Sequence, residues 1–322
     1  MLHHLGTVQI FSGNNGFVDA YNVASSGDTI YLGGGIYNPP ATISKSLVVF
    51  GAGVNLDSSS VTGTTSITGS LNFYEGADNS VYQGITAWPT FNNLDIDNFA
   101  FRYCKLTAIN YYGTYVAATT CDNHQYINCQ IGATNTSYAD FNTIGSLIIQ
   151  SSLITQFVKN IHANGFINHS VFTVGPSYSP GTGVSRPIKD VSNSIISNCK
   201  IRNIGTYYDY VITGSNNLLT HNVFNSNYSD VSNTYTSNYY VGADDNLFFV
   251  ADPDGDGKYD YHLLAPGSYI GDDWSQVGLY GGDFIWEDGS MPENPHLFFS
   301  TIPQNSDESG EIIVNIKVSA QE

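Results

Sequence analysis

Charged residues of both signs are scarce in this chain, and basic residues are the scarcest. Ten Lys and Arg residues stand against 28 Asp and Glu residues in a chain of 322, so the formal net charge at pH 7 is −18. A surface of this sign repels phosphate backbones, and we therefore expect no nucleic-acid partner. Apolar runs of the roughly 20 residues that a membrane span needs are also missing, which predicts no membrane insertion.

The first six residues lack the apolar core of a signal peptide. The shortage of Lys and Arg and the abundance of Asn and Thr are nevertheless typical of extracellular proteins rather than of cytosolic enzymes. We expect a protein that works outside the cell or at the cell surface, and we expect that its signal peptide has been removed ahead of residue 1.

Cysteine is rare too, with four residues: Cys104, Cys121, Cys129 and Cys199. Small secreted domains use such residues for disulfides, but a chain of this length can bury a large core without them. Free cysteine packs as a small hydrophobic residue, so we expect reduced, buried thiols. A disulfide between Cys104 and Cys129 is the alternative that the sequence leaves open.

Glycine, tyrosine and the small polar residues are abundant, and they separate short β-branched runs. This composition is typical of strands and turns rather than of helices. A short pattern repeats along the chain: an apolar residue, any residue, a polar residue, a small residue, any residue and another apolar residue. Its small positions fall at intervals of 25, 22, 19, 29 and 23 residues, at Cys104, Cys129, Ser151, Ser170, Cys199 and Asn222.

One repeat of this length holds about three short strands, which is one coil of a solenoid. Such coils stack in parallel about 4.8 Å apart, so that equivalent residues lie above one another. The sequence therefore predicts an all-β fold, a single-stranded right-handed parallel β-helix of about nine or ten coils. The six small residues are expected to form one interior column.

Both ends of the repeat region carry signals of their own. Near the start, a short predicted helix has an apolar face formed by Gly16, Phe17, Ala20, Val23 and Ala24. This helix and the following sequence, GDTIYL…GGIY…ISKSLVVFGAG, resemble the N-terminal cap of pectate-lyase-like parallel β-helices, in which a helix covers the first open coil. The segment from Asp260 to Gly282 resembles the closing segment of secreted bacterial right-handed β-helix proteins.

The resemblance implies one β-helix domain with its caps over residues 1–282. Residues 283–322 are expected to form an extended C-terminal tail, in which Val314, Ile316 and Val318 alternate with polar residues as in a strand. The pectate-lyase-like superfamily includes polysaccharide lyases, glycoside hydrolases, epimerases, adhesins and phage tailspikes. The fold alone therefore does not indicate the chemistry.

An aromatic residue follows most of the small positions by six to nine residues, which places it in the turn or loop after the strand. Loops face the solvent and frequently carry function. Exposed rings would stack on sugar rings, and we expect a glycan-binding strip along one side of the stack at Tyr112, Tyr138, Tyr178, Tyr207 and Tyr228. The alternative is that the rings stack on each other and stabilise the coils.

Catalysis on an acidic glycan would need a cation for the uronate and a basic residue near the acidic carbon. The basic candidates are few. Lys200 and Arg202 lie on the same side of one strand, with Arg186 before them and Asp209 after them. Ion pairs on an acidic surface are the alternative explanation of this group.

A hydrolase of the polygalacturonase type needs paired carboxylates. Asp95 with Asp97, and Asp244 with Asp245, are such pairs, but they lack the surrounding motifs of that family. The leading hypothesis is therefore a secreted or cell-surface β-helix that recognises extracellular polysaccharide, without a catalytic centre that the sequence identifies. The alternatives are a polysaccharide lyase or glycoside hydrolase that acts on an acidic glycan, and a structural stalk or adhesin segment.

Residues 252–260 read DPDGDGKYD and place oxygen ligands at loop positions 1, 3, 5 and 9, with Gly at position 6. Calcium prefers such ligands, and the segment resembles the calcium loops of EF-hands and dockerins. Leu263 stands at position 12, where an EF-hand has its bidentate Glu, so an EF-hand fold is not implied. The alternative is a solvated acidic turn.

We expect calcium to bind to the side chains of Asp252, Asp254, Asp256 and Asp260, with the backbone carbonyl of Lys258 as a fifth ligand. Calorimetric titration of the chain with calcium measures this directly, and saturable heat is the expected result. Heats that match those of buffer at millimolar calcium would leave only the acidic turn.

Overall fold

The computed structural model describes residues 11, 13–55, 62–92, 95–113, 120–132, 139–155, 157–173, 187–201, 211–224, 231–241 and 261–286, and the backbone of 296–301 and 315–319. Over these ranges the chain is nearly all β-structure, with one α-helix, α1 (Gly16–Val23), and a short 3-10 turn at Pro266–Ser268. Twenty-four strands pair in parallel with strands of the preceding or following coil, and they form ten coils.

The strands of coils 1 to 5 are, in order, β1 (Thr29–Tyr31) and β2 (Gly35–Tyr37); β3 (Val48–Phe50) and β4 (Thr65–Phe73); β5 (Val81–Gln83) and β6 (Thr86–Phe91); β7 (Ala100–Arg102), β8 (Lys105–Leu106) and β9 (Ile109–Tyr111); β10 (His124–Ile127), β11 (Gln130–Ile131) and β12 (Ala139–Asp140). The strands of coils 6 to 10 are β13 (Leu147–Gln150), β14 (Leu153–Ile154) and β15 (Val158–Lys159); β16 (Gly165–Asn168), β17 (Val171–Phe172) and β18 (Ile188–Lys189); β19 (Ile195–Ser197) and β20 (Lys200–Ile201); β21 (Leu218–Thr220) and β22 (Val223–Phe224); β23 (Thr234–Thr236) and β24 (Tyr239–Tyr240).

Three faces surround the core. The first strand of every coil belongs to a ten-stranded parallel sheet, face A. The remaining fourteen strands form one sheet that turns a corner, because β6 pairs with β8 at Thr86 and Ala87 and with β9 at Thr90 and Phe91. We call its first side, which includes β8, face B, and its second side, which includes β9, face C. The predicted all-β parallel β-helix of nine or ten coils is confirmed.

The core follows from the alternation of side chains along each strand. The middle residues of the face A strands point inward and are buried: Ile30, Val49, Tyr82, Phe101, Tyr126, Ile149, Ile167, Ile196 and Leu219. Between coils 2 and 5 the core is aromatic, and rings stack along the axis, as Phe101 and Tyr126 do at 5.6 Å between centroids. From coil 6 onward the same positions are aliphatic, so one continuous apolar core runs through the stack.

The corner between faces A and B turns on a single residue with left-handed backbone geometry. These residues have φ between 46° and 67°, namely Gly84, Tyr103, Asn128, Ser151, His169, Asn198, His221 and Ser237. Only glycine adopts this region without cost, and asparagine tolerates it better than most other residues. The conformation turns the chain, so that the next residue points inward again.

The interior column predicted from the repeat is present, with one change of register. Cys104 lies beside Cys129, which in turn lies beside Ser152, because Lys105 pairs with Gln130 and Gln130 pairs with Leu153. Ser151, which the repeat placed in the column, is the left-handed corner residue with φ 47°. Both serines fit the small position of the pattern, so the pattern alone could not separate them.

Cysteine and serine make the same contact in this column, and all four cysteines are free and buried. The Cys199 thiol donates to the carbonyl of Ser197 at 3.0 Å, and the Ser170 hydroxyl donates to the carbonyl of Asn168 at 2.9 Å. Asn222 continues the column differently. Its side chain accepts the backbone N–H of Cys199 at 2.9 Å and donates to the carbonyl of Ile196 at 2.8 Å.

Helix α1 covers the first coil through Phe17 and Tyr21, both buried. Val23, which the sequence pattern placed on the apolar face, is 56% exposed. The ammonium of Lys45 donates to the carbonyls of Tyr21 and Ala24, each at 2.8 Å, and so satisfies the open C-terminal end of the helix.

The segment 261–286 lies along the outside of face B rather than across the end of the stack. Outward positions of face B are polar in coils 3 to 5 but apolar in coils 6, 7 and 9, at Leu153, Val171 and Val223. Residues of segment 261–286, including Leu279 and Val277, bury these apolar side chains. The switch from polar to apolar at coil 6 therefore determines where the segment packs.

Hydrogen bonds hold segment 261–286 at the corner between faces A and B. His169 Nε2 lies 2.8 Å from Asp273 Oδ2. The Asn198 side chain donates to Asp272 Oδ1 at 2.7 Å and accepts the backbone N–H of Asp272 at 3.1 Å. The tail contains an antiparallel pair, β25 (His296–Thr301) with β26 (Asn315–Ser319).

The buried amide of Asn222 is expected to matter far more than the thiol of Cys199. The substitution Asn222→Ala leaves the backbone N–H of Cys199 buried without a partner and removes the side-chain donor to the carbonyl of Ile196, at a cost of about 2 kcal/mol in the free energy of unfolding. In Cys199→Ser the new hydroxyl can donate to the carbonyl of Ser197, as the Ser170 hydroxyl donates to the carbonyl of Asn168 one coil earlier. The cost of this substitution is therefore expected to stay below about 1 kcal/mol. Urea unfolding of both variants measures the difference. Equal losses in the two variants would contradict this account.

Candidate functional site

The outer side of face C carries a group of aromatic and amide side chains in coils 2 to 5. The group, which we call the amide–aromatic face, consists of Ser70, Asn72, Tyr74, Trp88, Thr90, Asn92, Asn110, Tyr112 and Asn142. These residues point outward because their neighbours point inward. Phe91 stacks on Phe73 at 5.1 Å and on Tyr111 at 4.4 Å inside the core. Alternation along the strand then directs the flanking residues outward, where Thr90 is largely covered by its neighbours and the others reach the solvent.

Three rings of the amide–aromatic face are open to solvent. Tyr112 is 59% exposed, Trp88 is 42% exposed and Tyr74 is 38% exposed. Large apolar side chains are usually buried in a monomeric protein, and exposed aromatic rings grouped on one surface are typical of binding sites.

The polar members of the face are held by one another. Ser70 Oγ and Thr90 Oγ1 are 2.6 Å apart, and the amide of Asn92 donates to Asn72 Oδ1 at 3.4 Å. These hydrogen bonds link neighbouring coils, so the polar side chains have restricted positions before any ligand arrives.

The indole of Trp88 is fixed in the same way. With its amide oriented to satisfy both neighbours, Asn110 accepts the indole N–H of Trp88 at 2.7 Å and donates to the carbonyl of Ile109 at 3.2 Å. Asn142 donates to the carbonyl of Gly113 at 2.6 Å, directly after Tyr112. The rings and amides therefore form an ordered surface in which no member is charged.

Carboxylates line a different edge, at the turn that leads into face A. Asp78 Oδ1 accepts the backbone N–H of Asp97 at 3.0 Å, and Asp97 Oδ1 accepts that of Asp122 at 2.8 Å. Burial raises the pKa of Asp97, the hydrogen bond from Asp122 lowers it, and the charges of Asp122, Asp95 and Asp78 raise it further. Each carboxylate caps the following coil.

In the described part of the chain, no group of three His, Cys, Asp or Glu side chains is placed to hold a metal ion.

Of the five tyrosines predicted to bind glycan, the structure describes only Tyr112, which is exposed and belongs to the amide–aromatic face. The other four, Tyr138, Tyr178, Tyr207 and Tyr228, lie outside the described residues. The predicted calcium ligands Asp252, Asp254, Asp256, Lys258 and Asp260 also lie outside them, and calcium binding stays a prediction.

The predicted basic group is described only at Lys200, because Arg186, Arg202 and Asp209 lie outside the described residues. Lys200 does point outward from face B, as the sequence pattern indicated. It is only 2% exposed, since segment 261–286 packs over this face. Its ammonium is therefore not part of an open basic surface.

Sequence reasoning missed most of the amide–aromatic face, although a signal was present. An inward aromatic residue is flanked by outward residues in four coils, in the triplets NFY (72–74), TFN (90–92), NYY (110–112) and DFN (140–142). The repeat of small interior residues lies at the corner between faces A and B, whereas these triplets lie on face C.

A scan against models of known protein families finds no match, and a search of curated proteins finds no similar sequence. None of the helices in the described ranges has the length and apolar character needed to cross a bilayer.

A buried polar network lies inside the coil beneath the amide–aromatic face. His124 Nε2 lies 2.6 Å from the carbonyl of Ile96 and so carries the proton, and His124 Nδ1 accepts a hydrogen bond from the Tyr111 hydroxyl. The Tyr111 and Tyr126 hydroxyls are 2.8 Å apart. Burial lowers the pKa of His124 to about 4, while the hydrogen bond to Ile96 opposes the shift.

The neutral state of His124 makes the stability of the fold depend on pH. The unfolded chain binds a proton at this residue near pH 6.5, whereas the folded chain does so only near pH 4. Between these values the unfolded state holds more protons, so the free energy of unfolding falls as the pH falls, by up to roughly 3 kcal/mol from this group. Urea unfolding from pH 7 to pH 4 measures the slope, and His124→Phe is expected to reduce it. An unchanged slope in that variant would contradict the assignment.

Proposed function

We propose that this protein is an extracellular or cell-surface β-helix of the pectate-lyase-like kind that recognises polysaccharide through its amide–aromatic face. One observation carries the proposal. Three exposed rings, Tyr74, Trp88 and Tyr112, stand among amide and hydroxyl groups whose positions are fixed by hydrogen bonds. Pyranose rings have an apolar C–H face and a rim of hydroxyl groups, and this combination of rings and amides complements both.

The charge of the face supports a neutral ligand. None of its nine members is charged, and Lys159, a basic residue on the same side two coils beyond Tyr112, is paired with Asp140 at 2.8 Å. The chain as a whole carries a formal charge of −18, which disfavours anionic ligands. Neutral glycans therefore suit this surface better than uronic acid polymers.

The same chemistry distinguishes binding from catalysis at this face. Its nine side chains include no carboxylate, imidazole or amine. The groups of this kind that adjoin it are already engaged: Asp140, the partner of Asn110 in the next coil, is bound by Lys159 and Asn160, and His162 Nε2 lies 3.3 Å from Asn142 Oδ1. The face therefore offers no free pair of acid and base. The lyase or hydrolase alternative depends on Arg186, Arg202 and Asp209 and stays a separate prediction. The stalk alternative requires only the ten coils and their core.

The proposal is tested by a variant that lacks two rings, Trp88→Ala with Tyr112→Ala. The ligand is a neutral polysaccharide that retards the wild-type protein in affinity electrophoresis. We expect the affinity of the double variant for this polysaccharide to fall by at least about tenfold, which corresponds to roughly 1.4 kcal/mol. Its melting temperature is expected to change little, because both side chains are exposed.

The matched control is Trp274→Ala, because Trp274 is 88% exposed and lies on segment 261–286, away from face C. Its affinity for the same polysaccharide is expected to equal that of the wild type. The proposal fails if the control and the double variant bind equally, or if a panel of neutral polysaccharides gives no retention of the wild-type protein.

A further inference from the structure

One column of the amide–aromatic face alternates along the helix axis. Phe73 pairs with Phe91 and Phe91 pairs with Tyr111, so Tyr74, Asn92 and Tyr112 follow in the same register. Asn142 follows in coil 5, in the turn two residues after Asp140, which pairs with Asn110, and its side chain donates to the carbonyl of Gly113, directly after Tyr112, at 2.6 Å. The order from coil 2 to coil 5 is therefore Tyr, Asn, Tyr, Asn, and we call these four residues the Tyr–Asn column.

Backbone hydrogen bonds show that the first three members of the column are stacked neighbours. The N–H of Asn92 donates to the carbonyl of Phe73, and the N–H of Tyr112 donates to the carbonyl of Phe91, each at 2.9 Å. Neighbouring strands lie about 4.8 Å apart, so the two tyrosines are separated by about 10 Å along the axis. A tyrosine thus stands at coil 2 and again at coil 4, with one asparagine between them.

A ligand that matches this column must itself repeat every second unit. An extended β-1,4-linked pyranose chain has this property, because each sugar is turned over relative to the one before it. Its rise per sugar is close to the spacing of one coil. Alternate sugars then present the same C–H face toward the protein, and the sugars between them present hydroxyl groups at their edges.

We propose that the Tyr–Asn column binds a neutral, extended, β-1,4-linked glycan that runs parallel to the helix axis, with one sugar for each coil. This inference rests on the proposed function of the same face. Tyr74 and Tyr112 stack on alternate sugars, and Asn92 and Asn142 bind hydroxyl groups of the sugars between them. Trp88, fixed by Asn110, borders the column at coil 3.

The column covers four coils, so it provides four consecutive sugar sites. The acidic residues begin outside it, at Asp140 and at the edge lined by Asp78, Asp97 and Asp122. A coiled α-linked chain could contact one tyrosine but not both, because its axis does not stay parallel to the stack. A charged chain gains nothing from an uncharged column.

The test is calorimetric titration of the full chain with cello-oligosaccharides of two to six sugars. The affinity of the wild type is expected to rise with chain length up to four sugars and then to level off. Tyr74→Ala is expected to weaken binding of the tetrasaccharide about tenfold, the ratio that corresponds to about 1.4 kcal/mol, and to leave the disaccharide unchanged. The disaccharide can still bind beside Tyr112. Tyr112→Ala is expected to give the same pattern, because the disaccharide can still bind beside Tyr74.

Tyr31→Ala is the matched control, because Tyr31 is a 72% exposed tyrosine on face A that stacks on Phe50. Its titration curves are expected to match those of the wild type. Equal effects of Tyr74→Ala on the disaccharide and the tetrasaccharide would overturn the inference, as would affinity that does not depend on length.

Malto-oligosaccharides, laminari-oligosaccharides and oligogalacturonides complete the test. One of these ligands could bind more tightly than the cello-oligosaccharides and lose its affinity in the double variant of Trp88 and Tyr112. That result would overturn the β-1,4 assignment and leave the proposed function standing. If no oligosaccharide and no polysaccharide binds, both the inference and the proposed function fail.

Discussion

Parallel backbone hydrogen bonding between coils is the constraint on which the rest of this structure depends. It places each residue beside its equivalent one coil away, at about 4.8 Å, for ten coils. A residue type that recurs at the same position of successive coils therefore forms a column along the helix axis. Inside the stack the columns are stacked rings, aliphatic side chains and small residues. At the corner between faces A and B the column is a series of left-handed residues, and on face C it is a row of rings and amides.

The core and the candidate site are made by the same triplets. In residues 90–92 and 110–112 the central aromatic residue packs inward and its neighbours face the solvent. Tyr111 contributes its ring to the core and its hydroxyl to the network with His124. The position of Tyr112 thus depends on a buried side chain directly before it. A change that loosens the core in coil 4 would also move the surface above it.

The coil period and the fold could be predicted from the sequence, because small interior residues recur at nearly regular intervals. The register could not be predicted at Ser151 and Ser152, since either serine satisfies the pattern and only the left-handed turn separates them. Burial of Lys200 was also beyond sequence reasoning, because the covering segment begins some sixty residues later in the chain. Tyr112 was predicted to be exposed, but Trp88 and the amides were missed because their triplets lie on a different face from the repeat that was followed.

Segment 261–286 has a consequence for how this architecture could grow. Along its length it contacts Val223 of coil 9, Asn198 of coil 8 and Leu153 of coil 6. The distances between these partners are fixed by the spacing of the coils. Duplication of a coil among coils 6 to 9 would move the partners on one side of the insertion by about 4.8 Å and separate the segment from them. Outward positions of face B in coils 3 to 5 are polar, but the segment also reaches the corner of coil 5, where the suitably oriented amide of Asn128 donates to the carbonyl of Phe284 at 3.1 Å. New coils would therefore be tolerated on the N-terminal side of coil 5, in the region that also carries most of the Tyr–Asn column, and each pair of coils added there would lengthen the surface by one further ring and one further amide.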